Sequence, residues 1–397
     1  MDSLAPKIHF ALIFLAHALG AMCVLGVLAS GPQLIAQLDL TAIKVGALAS
    51  AYSATLAIAS LPAGMVVDRL GTRPALTLSA LVMCCGMLWV ALSSSFTSLC
   101  IGMAISGAGY GLINPAAGRA ILLWFSPQWR GTLMGLKQTG VPVGGAIGTA
   151  LAGLGIVYGW QIGVMGVALV AGLLAVLFFF LLPKKDTAGS NQHSPNITRG
   201  LPKVLSTPQL GRANLAAGLT NGGQFTLWAF LAETLRQSAA LSASLIALCM
   251  GLLQLGTLLG RLFWGLTNDR FLSQNAALTL RWLCITGIAG AFILLLLGHT
   301  EMWLLAPIAA LLLGFSMCSA TGIHVALTIS LAPTHFTGTA IGYTMLVTNL
   351  GGVIMPLIFG ALLDYAGAGS FAIGLIVMMG IAFWLLLLNA ETQSNKN

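Results

Sequence analysis

Charge is scarce in this chain of 397 residues. Only 7% of its residues are charged, and Asp and Glu together number 9, whereas soluble globular proteins carry about 25% charged residues. Segments that alternate polar and apolar residues over the length of a strand are absent, which argues against a membrane β-barrel. These absences exclude an ordinary soluble domain.

Signatures of catalysis and metal binding are also missing. The sequence has no phosphate-binding P-loop, no metal-ligand cluster and no nucleophile elbow, so we predict that it is not an enzyme and has no cofactor or metal. Its 7 cysteines lie in apolar stretches without CxxC spacing, which indicates packing residues and no disulfide framework.

Apolar sequence dominates instead. Hydrophobic residues make up 58% of the chain, and the mean hydropathy is +0.95. A globular core cannot absorb so much apolar sequence, so lipid must be the solvent, in which a helix satisfies its own backbone amides. We predict an all-α membrane protein with twelve spans of bilayer length, at residues 8–30, 45–66, 75–94, 98–125, 132–157, 161–182, 211–233, 243–267, 276–297, 302–330, 338–362 and 370–390.

A polar segment separates the two sets of six spans. Pro183 to Gln209 is rich in Lys, Ser, Asn, Gln and Pro. We therefore predict an N-terminal six-helix bundle over residues 1–183, a cytoplasmic linker over 184–210 and a C-terminal six-helix bundle over 211–397.

The distribution of basic residues predicts the orientation, because cytoplasmic loops carry more Lys and Arg. With both termini in the cytoplasm, only Lys44 and Arg236 lie outside. The net charge of +8 then reflects topology in an inner membrane, and it does not indicate nucleic-acid binding. The basic residues on the cytoplasmic side are Lys7, Arg69, Arg73, Arg130, Lys184, Lys185, Arg199, Lys203, Arg212, Arg270, Arg281 and Lys396.

The two halves repeat each other. Gly64-Met-Val-Val-Asp68-Arg69-Leu-Gly71-Thr-Arg73 is partly copied 201 residues later as Gly265-Leu-Thr-Asn-Asp269-Arg270-Phe271. Gly131-Thr-Leu-Met-Gly135 matches Gly338-Thr-Ala-Ile-Gly342 at an offset of 207, and Gly144-Gly145 falls on Gly351-Gly352 at the same offset. Two similar halves in an apolar chain are typical of a secondary transporter.

The chain resembles the major facilitator superfamily over essentially its whole length. The resemblance rests on the two sets of six spans, the long central loop, and the signature from Gly64 to Arg73 with its partial copy. It implies two six-helix bundles that expose a central site to each side of the membrane in turn. It also implies that spans 4, 5 and 8 surround the central cavity.

The repeated loop predicts a conformational latch. Its glycines would allow close approach of another helix, and its aspartates would hold arginines or a helix N-terminus in one state and release them in another. The alternative is a charged loop that only sets topology. The predicted gating residues are Gly64, Asp68, Arg69, Arg73, Gly265, Asp269 and Arg270.

Three cations fall inside predicted spans, where an ionisable residue is costly and indicates function. Arg261 lies about 12 Å into the membrane, Arg119 about 10 Å and Lys137 about 9 Å, judged from helix rise. The alternative is that Arg119 and Lys137 snorkel to the interface. Arg261-Leu-Phe-Trp-Gly265 also resembles the span-8 arginine of monocarboxylate and oxalate carriers, which binds the substrate carboxylate.

Every Asp and Glu lies in a predicted loop or near a span end, so the buried cations lack an acidic partner within the spans. A substrate anion would supply it. Weaker candidates for the same site are polar side chains on cavity helices, including histidines that titrate near neutral pH. They are His17, Tyr110, Asn114, Asn221, Gln224, Trp228, His324 and Asn349.

We therefore predict a secondary active transporter of a small organic anion, expected to carry a carboxylate, with alternating access, a monomeric state, lipid as its solvent and protons as a candidate coupling ion. An alternative is efflux of neutral or amphipathic drugs, with the buried cations structural. An alternative of another class is a receptor or lipid-binding protein on the same scaffold that transports nothing.

Overall fold

The computed structural model describes residues 4–184, 202–238, 241–272, 275–297, 302–333 and 337–394. Within these residues all regular secondary structure is helical. Most of the predicted linker, residues 185–201, lies outside the described residues. Contacts divide the chain into two units, Met1–Asn191 and Gln192–Asn397.

The first unit is a helical bundle in which α1 packs mainly along α8, and α4 packs along α5 and α9. Its helices are α1 (Leu4–Leu28), α2 (Gly31–Leu38), α3 (Ala42–Leu70), α4 (Thr72–Ala91), α5 (Phe96–Tyr110), α6 (Ile113–Trp124), α7 (Pro127–Gln138), α8 (Gly140–Tyr158) and α9 (Trp160–Leu181).

The second unit is also helical, and its most extensive helix packing is between its first and last helices. The last helix bends at Gly367, whose φ of 73° is readily adopted only by glycine. The helices are α10 (Pro208–Ser238), α11 (Ala243–Arg270), α12 (Ala276–Leu297), α13 (Leu305–Ser316), a 3₁₀ turn (Met317–Ser319), α14 (Thr321–Leu331) and α15 (Thr337–Ser394).

Three predicted spans are broken, which the sequence interpretation missed. Span 98–125 breaks at Gly111-Leu112 between α5 and α6, and span 132–157 breaks at Thr139 between α7 and α8. Proline clashes with the carbonyl four residues earlier, so Pro115 disfavours continued helix at Gly111 and Pro142 does so at Gln138. Proline contributes to both breaks without sufficing for a break, since Pro62 and Pro356 lie inside continuous helices.

The third break has no proline. Span 302–330 passes through the 3₁₀ turn Met317–Ser319. Ser316 donates to the carbonyls of Leu312 and Leu313, and Ser319 donates to those of Phe315 and Ser316. Serine hydroxyls that bond back to the preceding turn bend helices, which accounts for a break here.

In each unit, a glycine at a position related by the repeat allows two helices to pack closely. A Cβ at Gly144 of α8 would overlap the carbonyl oxygen of Ala18 of α1, and a Cβ at Gly351 of α15 would overlap that of Gly218 of α10. Gly144 and Gly351 are the repeat partners at the offset of 207. The close packing of small residues therefore recurs as the sequence repeat predicts.

The surface agrees with a lipid solvent. Leu169, Leu173, Val176 and Phe180 form one stripe along α9 and are 52% to 72% exposed. By length and composition, nine helical segments of the described residues can cross a membrane. The segment Ala340–Asn389 contains two predicted spans, and the predicted spans 132–157 and 211–233 are α7–α8 and α10. The all-α prediction with twelve spans is thus consistent with these helices.

Candidate functional site

In the first unit, Lys137 meets two polar side chains from other helices. Its Nζ lies 3.3 Å from His17 Nε2 and 3.3 Å from Asn114 Oδ1. His17 Nε2 is 3.1 Å from Asn114 Oδ1, and its Nδ1 is 3.2 Å from the carbonyl oxygen of Ile13. We call Lys137, His17 and Asn114 the lysine cluster. The structure thus brings together three of the predicted site residues.

The broken spans position the lysine cluster. Lys137 lies in the last turn of α7, where the helix dipole favours a cation. Asn114 lies in the first turn of α6, directly after the break before Pro115. Lys137 is 5% exposed and His17 is fully buried. Snorkelling of Lys137 to the interface does not occur in this structure.

The electrostatics of the cluster are unbalanced. Among the described residues, neither partner of Lys137 is an acid. A buried ammonium whose partners carry no negative charge retains much of its desolvation cost. The cluster therefore favours the approach of an anion.

Tyr110 and Arg119 lie near the cluster along the chain. The Tyr110 ring covers Gly20 of α1 and stacks on the Tyr52 ring, with centroids 6.3 Å apart. Arg119 is half-buried on α6. Neither is a partner of Lys137 in the described part of the chain.

In the second unit, Arg261 of α11 meets a backbone group. Its Nη2 donates to the carbonyl oxygen of Cys318 at 3.4 Å. Trp264 Nε1 donates to the carbonyl oxygen of Phe315 at 2.8 Å. Both carbonyls lie at the break after α13, where helix carbonyls lose their intrahelical partners. Arg261 therefore has a structural contact beside any role in binding.

A small cavity of about 10 Å³ lies among α10, α14 and α15, with room for about one water molecule. His324 Nε2 is 3.0 Å from Thr220 Oγ1, and Asn221 Nδ2 donates to the carbonyl oxygen of Thr348 at 2.9 Å. Nδ1 of His324 is buried without a partner in the described residues. The polar residues that line the cavity are Thr220, Asn221, Thr321, His324, Thr344 and Thr348.

Threonines that the sequence interpretation missed build much of this cavity. Thr344 Oγ1 donates to Asn214 Oδ1 at 2.7 Å and lies 2.8 Å from Thr328 Oγ1. The available signal was the spacing of Thr344 and Thr348 at i and i+4, which places both on one face of α15. Threonine in an apolar span is common, so that signal was weak.

Three further candidates on the second unit lie outside the cavity lining. Gln224 and Trp228 are buried on α10, and Trp228 packs against the Phe225 ring at 5.2 Å. Asn349 is half-buried on α15. Sequence reasoning also missed Gln254 of α11, which is 1% exposed with neither amide atom hydrogen-bonded in the described residues.

Glu233 is an acidic residue of α10 and lies five residues before that helix ends at Ser238. Glu233 is 2% exposed and pairs with Arg236, whose pKa it raises. Gln237 also donates to it at 2.8 Å. This carboxylate is therefore buried inside a helix, already neutralised by its own neighbours.

The first copy of the loop motif joins α3 to α4 through Gly71, which has φ of 82°. Arg69 is exposed, and the Arg73 guanidinium lies 4.6 Å from the centre of the Phe179 ring. A Cβ at Gly64 would meet no described atom within 4 Å. The predicted close helix contact at Gly64 stays a prediction, and the side chain of Asp68 lies outside the described residues.

The second copy ends α11. Asp269 accepts a hydrogen bond from Asn268 at 3.0 Å, and Asn268 accepts one from Thr279 of α12, also at 3.0 Å. Arg270 is exposed, and Gly265, like Gly64, has no described atom near its Cβ position. Asp269 is thus linked to α12 through amide and hydroxyl groups.

The sequence profile of the Major Facilitator Superfamily matches residues 10–356 and, in a second match, residues 213–397. The chain belongs to the Major Facilitator Superfamily. The resemblance seen in the sequence is confirmed, as is the fold class of twelve membrane helices in two six-helix bundles. The domain boundaries stay a prediction.

Two relatives are named as transporters, not enzymes. The cis,cis-muconate transport protein of Acinetobacter baylyi is 25% identical over 96% of this chain and 92% of its own length. The hexuronate transporter of Bacillus subtilis is 27% identical over 39% of this chain, and the match spans only 37% of that transporter.

Solved structures agree on the fold. A crystal structure of the nucleoside transporter NupG superposes with a TM-score of 0.79 at 11% identity, covering 98% of this chain and 99% of NupG. At that identity the similarity shows the fold and carries no information about the substrate.

Proposed function

We propose that this chain is a secondary active transporter that moves a small organic anion with a carboxylate group across the inner membrane. The observation that carries the proposal is the burial of Lys137 against partners that are not acids. A carboxylate beside Nζ would convert an unfavourable buried charge into a charge-assisted hydrogen bond.

Arg261 supports the same proposal. A guanidinium has five donors in a fixed fork, so it can bond the Cys318 carbonyl and still bind a carboxylate. Carriers of organic cations need a buried carboxylate for their substrate, and Glu233 is occupied by Arg236 and Gln237. The relatives named for cis,cis-muconate and hexuronate carry organic acids, in line with this chemistry.

The transport cycle is part of the proposal. Basic residues such as Lys137 and Arg261 bind the anion, and the two six-helix bundles then rock to open the site to each side alternately. Both termini lie in the cytoplasm. The latch at Asp68, with Asp269 as its partial copy, biases which state is populated.

Binding tests the substrate class directly. The purified protein is heated with cis,cis-muconate, with galacturonate or with an uncharged amphipathic drug, since a ligand of the native state raises Tm. We expect at least one of the acids to raise Tm in the wild type and to lose this effect in Lys137→Met. Lys203→Met, at an exposed lysine, is the matched control and should behave as the wild type.

Flux separates transport from sensing. We expect uptake of the same acid into proteoliposomes that is lost in Lys137→Met and retained in Lys203→Met. Binding without flux would identify a receptor on this scaffold. Stabilisation by the neutral drug alone would overturn the organic-anion assignment and favour drug efflux.

A further inference from the structure

The lysine cluster places two basic nitrogens side by side in the first unit. His17 Nε2 and Lys137 Nζ are 3.3 Å apart, and both side chains are buried. The carbonyl oxygen of Ile13 can only accept a hydrogen bond, so His17 Nδ1 carries a hydrogen. In the neutral imidazole the lone pair of Nε2 therefore points toward Nζ.

Two positive charges at this distance repel strongly at the low effective dielectric of an interior. In the absence of a substrate anion, we therefore expect the pair to hold one dissociable positive charge, on Lys137, because lysine is the stronger base. Asn114 Oδ1 lies 3.1 Å from Nε2 and can accept only from a protonated nitrogen there. Asn114 Oδ1 is thus already in position to accept a hydrogen bond from His17 Nε2 once that nitrogen is protonated.

We propose that the pair of His17 and Lys137 is the coupling site and binds one proton with each substrate molecule. This rests on the proposed function. When the carboxylate reaches Nζ, its charge offsets the repulsion, and His17 Nε2 takes a proton from the aqueous side on its lone pair. The imidazolium then donates to Asn114 Oδ1. The proton returns to water when the anion leaves, so a monoanion and its proton move without net charge.

The surroundings of the pair leave this proton to His17. The helices packed on α1 bring one carboxylate, Asp68, which lies sixteen residues beyond Tyr52 on α3, about 24 Å along the helix. No ionisable side chain lies on α9. The other titratable or charged residues on the helices packed against α1 are Lys44, Tyr52, Arg69, Arg73, Cys84, Cys85, Cys100, Tyr110, Arg119, Arg130 and Tyr158.

The second unit shows the same place without a titratable pair. The offset of 207 pairs Lys137 with Thr344 and Asn114 with Thr321. Gly144 contacts Ala18, and its repeat partner Gly351 contacts Gly218. Ala18 and Gly218 therefore occupy equivalent places, and so do the residues before them, His17 and Ala217. Thr344, Thr321 and Ala217 all line the small cavity. Among the residues that the structure describes, the proton pair therefore lies in the first unit alone.

Calorimetry counts the protons. Titration of the full-length protein with cis,cis-muconate and with galacturonate in two buffers of different ionisation enthalpy gives the protons taken up per molecule bound. We expect a value near one for the wild type at pH 7.5. His17→Gln, which keeps an amide in place of the ring, should bind the same acid with uptake near zero.

His9→Gln, on the same helix and outside the cluster, is the matched control and should keep the wild-type value. Binding by the wild type with no proton uptake would overturn this inference and leave the proposed function standing. Equal uptake by the wild type and His17→Gln would do the same. If neither acid bound, both the proposed function and this inference would fall. Should His17→Gln not fold, the wild-type proton count still decides.

Discussion

In the first unit, Lys137, His17 and Asn114 contact one another inside the bundle. At the position related by the repeat, the second unit has a cavity lined by Thr344, Ala217 and Thr321. The packing around the two places is alike, since Gly144 and Gly351 each let the helix beside them approach closely. A repeat that shares its backbone packing has therefore diverged in charge. Close packing requires glycine at the related positions in both units, whereas the polar side chains nearby differ between the units.

The largest expected effect is at Lys137. Lys137→Met should weaken binding of the anion about 30-fold or more, because truncating a buried charge partner costs about 2–5 kcal/mol. Its repeat partner supplies the comparison: Thr344→Val removes a hydrogen bond to Asn214 and should lower stability by about 1 kcal/mol with little change in Kd. Calorimetric Kd and Tm measure the two. Similar losses of affinity in both variants would mean that the two places share the ligand.

Arg261 tests whether the second unit contributes charge at a different position. Arg261→Ala should weaken binding by about 10- to 100-fold, through loss of a charge-assisted hydrogen bond. Arg261→Lys should restore little of it, because an ammonium cannot donate two parallel bonds to a carboxylate. Wild-type affinity in Arg261→Ala would assign this arginine to the break at Cys318 alone.

Substrate charge distinguishes a shared site from interfacial residues. Neutralising Lys137 or Arg119 should weaken a dianion more than a monoanion, since the lost Coulomb energy scales with ligand charge. Each change combined with Arg261→Ala should be non-additive if the residues contact one ligand. Equal losses for both ligands, with strict additivity, would place Arg119 outside the binding site.

The shared packing is expected to be equally sensitive in both units. Gly144→Ala and Gly351→Ala should each lower the free energy of unfolding by about 1–3 kcal/mol, because the added methyl overlaps a backbone carbonyl. Gly153→Ala is the control on α8, where a Cβ meets no described atom within 4 Å. Thermal unfolding in detergent measures all three. Unchanged Tm in both first variants would show that this packing adapts.

The smallest effect is expected at the latch. Asp68→Ala should slow transport about two- to fivefold with equilibrium binding nearly unchanged, as a helix-end charge is worth up to about 1 kcal/mol. Cysteine accessibility from the cytoplasmic side should rise. Asp269→Ala should have a weaker effect, since Asp269 is bonded to Asn268. Normal flux and accessibility in Asp68→Ala would reduce the motif to a loop that sets topology.

Much of the fold was predictable from the sequence because the solvent imposes it. Long apolar stretches in lipid have to be helical, and the offset of 207 along the chain aligns Gly144 with Gly351. Pro142 and Pro115 favour the breaks at Thr139 and Gly111, but Pro62 and Pro356 lie inside continuous helices, so proline alone could not predict which spans break. The break at Met317–Ser319 depends on serine hydroxyls whose partners only the fold shows.

The candidate site was only partly predictable. Lys137, His17 and Asn114 were each named from their place in an apolar span. Their contact was not predictable, because His17 lies 120 positions and Asn114 lies 23 positions from Lys137 along the chain. The threonines around His324 were missed, because a hydroxyl in a span can bond its own helix and so gives no sign of a site.

The sequence by itself determined the membrane class, the helices, the internal repeat and the excess of buried positive charge. Each of these depends on composition or spacing along the chain. Tertiary structure decided which polar groups meet, because each residue turns a helix by about 100°, so a break such as that at Thr139 redirects every side chain beyond it. It placed Lys137 against His17 and Thr344 against Asn214 at related places in the repeat.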